Sequence, residues 1–322
     1  GPDVRVRNLT FTRATADVET WCVTNLGTPH FTLHGCEISG NYTGIGFGIT
    51  PLQLVDACCI SECNVHDICT GNTDGGGISG WGAYLESMSR LAIIGSYWDN
   101  ALTSHLVRIP GCNIGCIANN YFGRARRGWG GSSGHVLTIR GFTNTPMDTF
   151  AGVYVEKIVI RDNVFSTNVD NLSQIQLAPQ NDSDNVRHRN IIIENNYFDT
   201  TSTRPINTEV QSRLTIRNNI VKGSTFGEMV YILATSNVGV PVPTDTKVYN
   251  NTVWKTSTGG FSLVNATTAT GPASGSSGTI IKNNLVYAPS ATSPTVAVSS
   301  GVHVSTWTES NNSTPAQMTG TK

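Results

Sequence analysis

A short pattern recurs along almost the whole chain and limits what the chain can fold into. Alternating apolar residues are followed by Asn-Asn or a small substitute, then one further residue, then a large apolar one. The clearest copies contain Asn195-Asn196, Asn218-Asn219, Asn250-Asn251 and Asn283-Asn284, and earlier ones contain Asn119-Asn120 and Asp162-Asn163. Degenerate copies place Leu9, Cys36, Cys63 and Ser96 at the second-Asn position.

The spacing of this pattern predicts a solenoid. Successive second-Asn positions are 23 to 43 residues apart, and ten such units cover nearly the whole chain. A propeller blade would need four strands in about 40 to 45 residues, and most of these units are too short for that. Two or three short alternating runs per unit suit one coil of a β-helix, in which strands stack in parallel on the next coil. A turn Asn can hydrogen-bond both the turn backbone and the same Asn one coil away.

Composition agrees with many short strands. Only 13% of the residues are charged, 33 are Gly, and long helical stretches with a 3.6-residue period are missing. We therefore predict an all-β chain: one single right-handed parallel β-helix of about ten coils over residues 3–303, followed by a C-terminal tail over 304–322. No apolar run is long enough to cross a membrane, so the sequence predicts no membrane span.

The repeat resembles that of the pectate-lyase-like superfamily of parallel β-helices. That group includes polysaccharide lyases, polygalacturonase-type hydrolases, alginate epimerases and bacteriophage tailspikes. The resemblance covers about residues 4 to 300 and implies an extracellular protein, secreted or on a virion surface, that binds a glycan on its outer strand faces. The tailspike alternative also implies a homotrimer.

Reactive side chains occur at similar offsets from the second-Asn position. His105, Arg108, His135 and Arg140 lie at offsets of +9 to +20, Asp74 at +11, and Gln174 and Gln176 at +11 and +13. We predict that Asp74, His105, Arg108, His135 and Arg140 are catalytic, with Gln174 and Gln176 binding substrate. Such groups supply a base, an acid and a cation for a substrate carboxylate, which is the chemistry of β-elimination from a uronate. The alternative is that the His and Arg side chains only form hydrogen bonds at strand ends.

Asn72-Thr73-Asp74-Gly75 matches the first motif of the polygalacturonase family, which would make Asp74 a catalytic carboxylate. The family's paired Asp motif should follow one coil later, but only Asp99 is present, at an offset of +3. Inverting hydrolysis needs two carboxylates, so the sequence favours a lyase and keeps a hydrolase as the alternative. No cofactor is predicted to be required. Asp67, Asp74 and Asp99 leave a calcium ion as an alternative, although their spacing does not demand a metal.

One inserted loop points to an acidic ligand. It carries Arg124, Arg126, Arg127 and Trp129, which could pair with carboxylates and stack on a sugar ring. Net charge is only -1 and no basic stripe extends beyond this loop, so we predict an acidic polysaccharide partner and no nucleic acid. A solvated loop with ordinary surface charge is the alternative.

Three functions remain open from the sequence alone. The first is a polysaccharide lyase, or a glycoside hydrolase, and the second is a tailspike depolymerase. The third is a non-catalytic glycan-binding surface protein. The eight Cys residues all lie in the first 116 residues, and disulfides and buried thiols are equally expected for them.

Overall fold

The structure, a computed structural model, describes residues 3–12, 21–25, 28–40, 43–47, 55–68, 80–127, 134–141, 155–166, 173–179, 188–200, 204–209, 211–234, 244–268, 277–300 and 307–320. Nearly all the secondary structure is β, apart from one short helix, α1 (Pro315–Met318). No described helix is long and apolar enough to cross a membrane.

The strands form three parallel sheets. The first sheet contains β1 (Asp3–Arg7), β4 (His30–His34), β7 (Val55–Ser61), β10 (Met88–Ile94), β12 (Cys112–Ala118), β16 (Ile158–Arg161), β19 (His188–Glu194), β22 (Gln211–Arg217), β25 (Lys247–Tyr249), β28 (Ile280–Lys282) and β31 (Thr308–Ser310). The second sheet contains β2 (Thr10–Thr12), β5 (Glu37–Ser39), β8 (Asn64–Ile68), the first part of β11 (Tyr97–Pro110), β13 (Tyr121–Phe122), β17 (Val164–Phe165), β20 (Tyr197–Thr200), β23 (Ile220–Gly223), β26 (Thr252–Lys255) and β29 (Leu285–Tyr287).

The third sheet contains β3 (Trp21–Asn25), β6 (Thr43–Phe47), β9 (Gly80–Leu85), the second part of β11, β15 (His135–Gly141), β18 (Ser173–Pro179), β21 (Arg204–Glu209), β24 (Glu228–Ala234), β27 (Gly259–Thr268) and β30 (Ala291–Ser300). A short strand, β14 (Ala125–Arg127), pairs with the middle of β11. Every pairing is parallel and joins equivalent strands of successive coils. Crossovers between parallel strands are right-handed as a rule, and the predicted all-β, right-handed parallel β-helix is confirmed.

The core consists of inward side chains stacked coil upon coil. On the second sheet, Trp98, Phe122, Phe165 and Phe198 form one stack in which the last two ring centroids are 4.9 Å apart. All four side chains are fully buried. Such stacking is what a coil needs, because one coil cannot bury its apolar face alone.

Asn-Asn has two separate roles in the turn between the first and second sheets. The first residue takes a positive φ, 55° at both Asn195 and Asn218, which Asn tolerates better than most residues. The second residue forms a ladder: Asn196 Nδ2 donates to Asn219 Oδ1 (3.0 Å) and to the Ile160 carbonyl of the previous coil (2.9 Å). The ladder continues to Asn312, beyond the predicted boundary at residue 303. There β31 pairs with β28 in the first sheet, so part of the predicted tail belongs to a further coil of the β-helix.

Cysteine takes the ladder position in the N-terminal coils. The Cys36 thiol lies 3.9 Å from the Val6 carbonyl and the Cys63 thiol 3.7 Å from the Leu33 carbonyl, the acceptors that Asn Nδ2 uses in later coils. The seven described cysteines are all free thiols, and Cys69 lies outside the described residues. For those seven the thiol alternative therefore holds over disulfides, and four of the thiols, Cys36, Cys58, Cys63 and Cys112, are buried.

Candidate active site

The outer face of the third sheet carries a column of polar residues, one from each of seven successive coils. They occupy one register position and are Tyr84, Arg108, Thr138, Gln176, Asn207, Tyr231 and Asn265. Their neighbours along each strand, such as Val107 and Ile109, point into the core. Since adjacent strands lie about 4.8 Å apart, this column is a polar track parallel to the helix axis.

A carboxyl group lies beside the N-terminal part of this column. Glu86 directly follows β9, is only 7% exposed, and forms a side-chain hydrogen bond with Tyr84. Burial raises the pKa of Glu86 to about 7, although the hydrogen bond from Tyr84 and the charge of Arg108 lower it. Burial also raises the pKa of the Tyr84 phenol. The pair therefore offers a carboxyl that titrates near neutral pH beside a phenol that keeps its proton.

Two guanidinium groups face this pair from the next two coils. The Arg108 Cζ atom lies 5.5 Å from the centroid of the Tyr84 ring, and the Arg140 Nη2 atom donates to Gln176 Oε1 at 3.3 Å. The charges of both arginines act on Tyr84, where they lower the pKa of the phenol against the larger effect of burial. Burial lowers the pKa of Arg108, but an arginine stays charged in proteins.

An aromatic wall, formed by Trp21, Trp81 and Tyr84, closes the N-terminal side of this group. The two indole rings stack with centroids 6.0 Å apart at 16°, and Trp81 lies 5.0 Å from Tyr84. Trp21 lies directly over Gly46, where a Cβ atom would overlap the indole ring. Glycine at this position therefore allows the ring to lie against the sheet.

His105 and His135 are stacked beside the arginines but are almost fully buried. Their ring centroids are 5.6 Å apart, and the residues are 5% and 3% exposed. The His135 amide donates to His105 Nδ1 at 3.0 Å, which places the ring proton of neutral His105 on Nε2. Burial lowers the pKa of His135 to about 3 and that of His105 well below its usual range. Both rings are therefore neutral at neutral pH, and proton transfer between them and a substrate stays a prediction.

The structure separates two predicted substrate-binding residues from this face. Arg124 lies on the second-sheet side, where its guanidinium pairs with Asp99 at 3.2 Å. Gln174 is fully buried, and its Nε2 atom donates to the carbonyls of Ser166 and Asp199, both at 3.2 Å. The Arg124 guanidinium is therefore held in an ion pair, and the Gln174 amide is held in buried hydrogen bonds. Gln176, in contrast, lies in the polar column, and its predicted contact with substrate stays a prediction.

Other predicted residues cannot be located. Asp74 with its Asn72–Gly75 motif and Trp129 lie outside the described residues, as do the side chains of Arg126 and Arg127. Of the other two acids considered for calcium, Asp67 hydrogen-bonds His66 (2.8 Å) and Asp99 pairs with Arg124. The described residues contain no group of three His, Cys, Asp or Glu placed to hold a metal. The calcium ion stays a prediction.

Tyr84, Glu86, Trp81 and Trp21 were not predicted. Tyr84 lies at +21 from Cys63, just outside the +9 to +20 range of the other candidates, because the segment before β9 lengthens this coil. The alternating run Gly80–Leu85 ahead of Glu86 was the available signal. It marks a strand that carries two aromatic residues and ends in an acid.

A cleft on the first sheet offers less chemistry. It encloses about 520 Å³ and is lined mainly by small or apolar residues, among them Ala57, Ala92 and Gly115. Its His30 and Arg90 side chains are already paired, since Asp56 accepts from both His30 (3.1 Å) and Arg90 (2.9 Å). The outer face of the third sheet is therefore the better candidate.

Comparison with known proteins adds a likeness of fold. Neither a family model nor a curated protein matches this chain. Among solved structures, a hyperthermoactive exopolygalacturonase from Thermotoga maritima is 12% identical, covers 85% of this chain and 72% of its own, and has a TM-score of 0.30. At that identity and score the likeness carries no argument about substrate or catalytic residues.

Proposed function

We propose that this protein is an extracellular polysaccharide-degrading enzyme that cleaves a uronate-containing glycan by β-elimination. One observation carries the proposal. Arg108 and Arg140, on neighbouring coils, face a Tyr84–Glu86 pair on the outer face of the third sheet, beside the aromatic wall. Enzyme sites commonly combine charge partners and a strongly shifted pKa in this way.

The arginines suit the first requirement of elimination. Removal of the proton next to a uronate carboxylate builds negative charge on that carboxylate, and a guanidinium can neutralise it through paired hydrogen bonds. Beside them, the aromatic wall offers ring faces on which a sugar can stack. Beyond Arg108 the polar column continues for five described coils, in which Tyr231 and Asn265 are partly exposed and Thr138, Gln176 and Asn207 are buried.

Inverting hydrolysis is less well supported by the described residues. It needs two carboxyl groups roughly 6.5 to 9.5 Å apart. Glu228, another carboxylate on this face, lies on a strand five coils from β9, hence about 24 Å along the axis, and is paired with Arg204 at 2.7 Å. A hydrolase that uses Asp74 remains the alternative. A trimeric tailspike with the same activity would differ in assembly rather than in chemistry.

The test follows both reaction products on a panel of acidic polysaccharides, namely alginate, pectate, glycosaminoglycans and bacterial capsules. We expect rising absorbance from unsaturated uronate together with new reducing ends. Arg108→Gln should lower kcat/KM by about 100-fold, the cost of removing one charge-stabilising donor. The matched control is Arg90→Gln on the first sheet, whose arginine pairs with Asp56 and which should retain activity.

Each other outcome contradicts the proposal in a different way. Reducing ends without the absorbance would establish hydrolysis. Binding without either product would identify a glycan-binding protein. Equal activity of Arg108→Gln and Arg90→Gln would move the site away from this face. Sedimentation of the active protein would separate a trimer from a monomer.

A further inference from the structure

Tyr84 and Glu86 lie two residues apart in the chain, and their side chains hydrogen-bond to each other. Arg108 contacts this pair from the adjacent coil, and Arg140 lies one coil further on. A proton acceptor, a proton donor and two cations thus lie within two rungs of one sheet, about 10 Å of helix axis.

We propose that Glu86 and Tyr84 are the proton-transfer pair of this site, acting on one side of a uronate ring in a syn elimination. This inference rests on the proposed function and adds the residues that carry the protons and the configuration of the sugar. The Glu86 carboxylate removes the ring proton next to the substrate carboxylate. The Tyr84 hydroxyl protonates the leaving glycosidic oxygen.

The bonds balance without any further reactant. The C5–H bond breaks and its proton goes to Glu86, while its electron pair forms the C4–C5 double bond. The C4–O4 bond breaks, and O4 takes the phenolic proton of Tyr84. The proton on Glu86 then returns to the Tyr84 phenolate through the hydrogen bond that joins them. Both side chains are thereby restored for the next cycle.

The acid–base properties of the pair agree with these roles. A carboxyl with a pKa of about 7 is well matched to accept a proton at neutral pH. The raised pKa of Tyr84 keeps the phenol protonated and able to donate. Among the described residues, Tyr84 and Arg108 are the ionisable groups that act on the Glu86 carboxyl.

The geometry also selects the substrate. Because the two oxygens are hydrogen-bonded to each other, base and acid must act on the same face of the sugar. C5–H and C4–O4 lie on the same face in glucuronate and mannuronate, and on opposite faces in galacturonate, guluronate and iduronate. We therefore expect cleavage at glucuronate or mannuronate units.

The experiment compares Glu86→Gln and Tyr84→Phe with a matched pair on another face. Glu194 and Tyr249 flank Arg217 on the first sheet, at 2.6 Å and 3.1 Å, and so provide the same residue types away from the site. Glu86→Gln should lower kcat by about 1,000-fold and Tyr84→Phe by about 100-fold, within the range for lost acid–base groups. Glu194→Gln and Tyr249→Phe should keep wild-type kcat.

Two further readouts separate proton transfer from structure. Both site variants should bind an uncleaved mannuronate or glucuronate oligomer with an unchanged Kd, whereas Arg108→Gln should bind it more weakly. Wild-type kcat/KM should rise with pH through about 7 as Glu86 loses its proton, and Glu86→Asp should keep such a rise with lower activity.

Failure of the pair and failure of the function give different results. If the wild type forms unsaturated products and Glu86→Gln forms them at a similar rate, the pair is wrong and the function stands. Unsaturated products from galacturonate or guluronate polymers alone would also overturn the pair, because those sugars need acid and base on opposite faces. No unsaturated product from any polymer would overturn both.

Discussion

Two regions of this molecule carry rows of polar side chains along the helix axis, and they are built in opposite ways. In the turn between the first and second sheets, Asn repeats from coil to coil from Asn120 to Asn312, and each amide makes the same hydrogen bonds. On the outer face of the third sheet, the residue type changes at almost every coil. Asn207 Oδ1, Asn265 Oδ1 and Trp81 Nε1 there lack a hydrogen-bond partner among the described residues.

The difference separates what holds the fold from what meets a ligand. Repeated, fully satisfied amides contribute to stability at every coil, because each buried donor and acceptor has its partner. On the outer face of the third sheet, the polar atoms without a hydrogen-bond partner and the buried Glu86 carboxyl lower the stability of the folded state. Such a cost is expected where a site is prepared for a ligand that completes its hydrogen bonds.

The largest effect on stability should come from the ladder. Asn219 Oδ1 accepts from the Asn196 amide and side chain, both at 3.0 Å, and its Nδ2 donates to Ile193 and Asn251. Asn219→Ala leaves these buried partners unsatisfied and should lower the free energy of unfolding by about 3 kcal/mol. Urea unfolding followed by circular dichroism measures it, with the exposed Lys222→Ala on the same coil as control. A loss no larger than that of Lys222→Ala would mean that water replaces the amide.

A smaller effect of opposite sign is expected at the site. The pKa of Glu86 is about 7 in the folded protein against an ordinary 4.5, so the unfolded chain loses this proton first as the pH rises. The wild type should therefore lose stability from about pH 4.5 to 7, and Glu86→Gln should not. At pH 8 the variant should be more stable by about 1–2 kcal/mol, after allowance for solvent screening.

Thermal unfolding at pH 5 and pH 8 measures this difference, and Glu309→Gln at an exposed position is the control. An equal response of both variants to pH would show that burial does not penalise the Glu86 carboxylate. The result also bears on the comparison between the two regions. Higher stability of Glu86→Gln at pH 8 would show that the Glu86 carboxylate destabilises the folded state, whereas the Asn219 amide of the ladder stabilises it.

The sequence predicted the ladder better than the site, and the reason is physical. The Asn-Asn pair has a local cause: the first residue needs a positive φ, and the second hydrogen-bonds to the equivalent residue of the next coil. Even Cys36, Cys63 and Ser96 could therefore be aligned with the second Asn of later coils. Which strand residues meet on the outer face depends on the number of residues between strands, and the 11 residues between β8 and β9 moved Tyr84 out of the counted range.

Two further residues, Arg124 and Gln174, do not lie where the sequence predicted. Arg124 is close to Trp129 in sequence, but its partner Asp99 comes from the previous coil and is 25 residues away. Gln174 fails for a different reason. At the start of the third-sheet strands two successive residues are buried, as at Leu106 and Val107, so simple alternation does not predict which side chain faces outward.

The smallest predicted effect extends the ladder by one coil toward the site. Ser96 already accepts from the Cys63 amide (3.1 Å) and donates its own amide to Asn120 Oδ1 (3.0 Å), but its hydroxyl reaches only the nearby Ile94 carbonyl (3.2 Å). Ser96→Asn should add the side-chain hydrogen bond to Asn120 and raise the free energy of unfolding by about 1 kcal/mol. Urea unfolding measures this change, and Ser39→Asn at a half-exposed position is the control. A loss of stability would show that the thiol and hydroxyl coils are packed too tightly for an amide. The ladder would then be limited by volume, and not by hydrogen bonding, in the coils nearest the site.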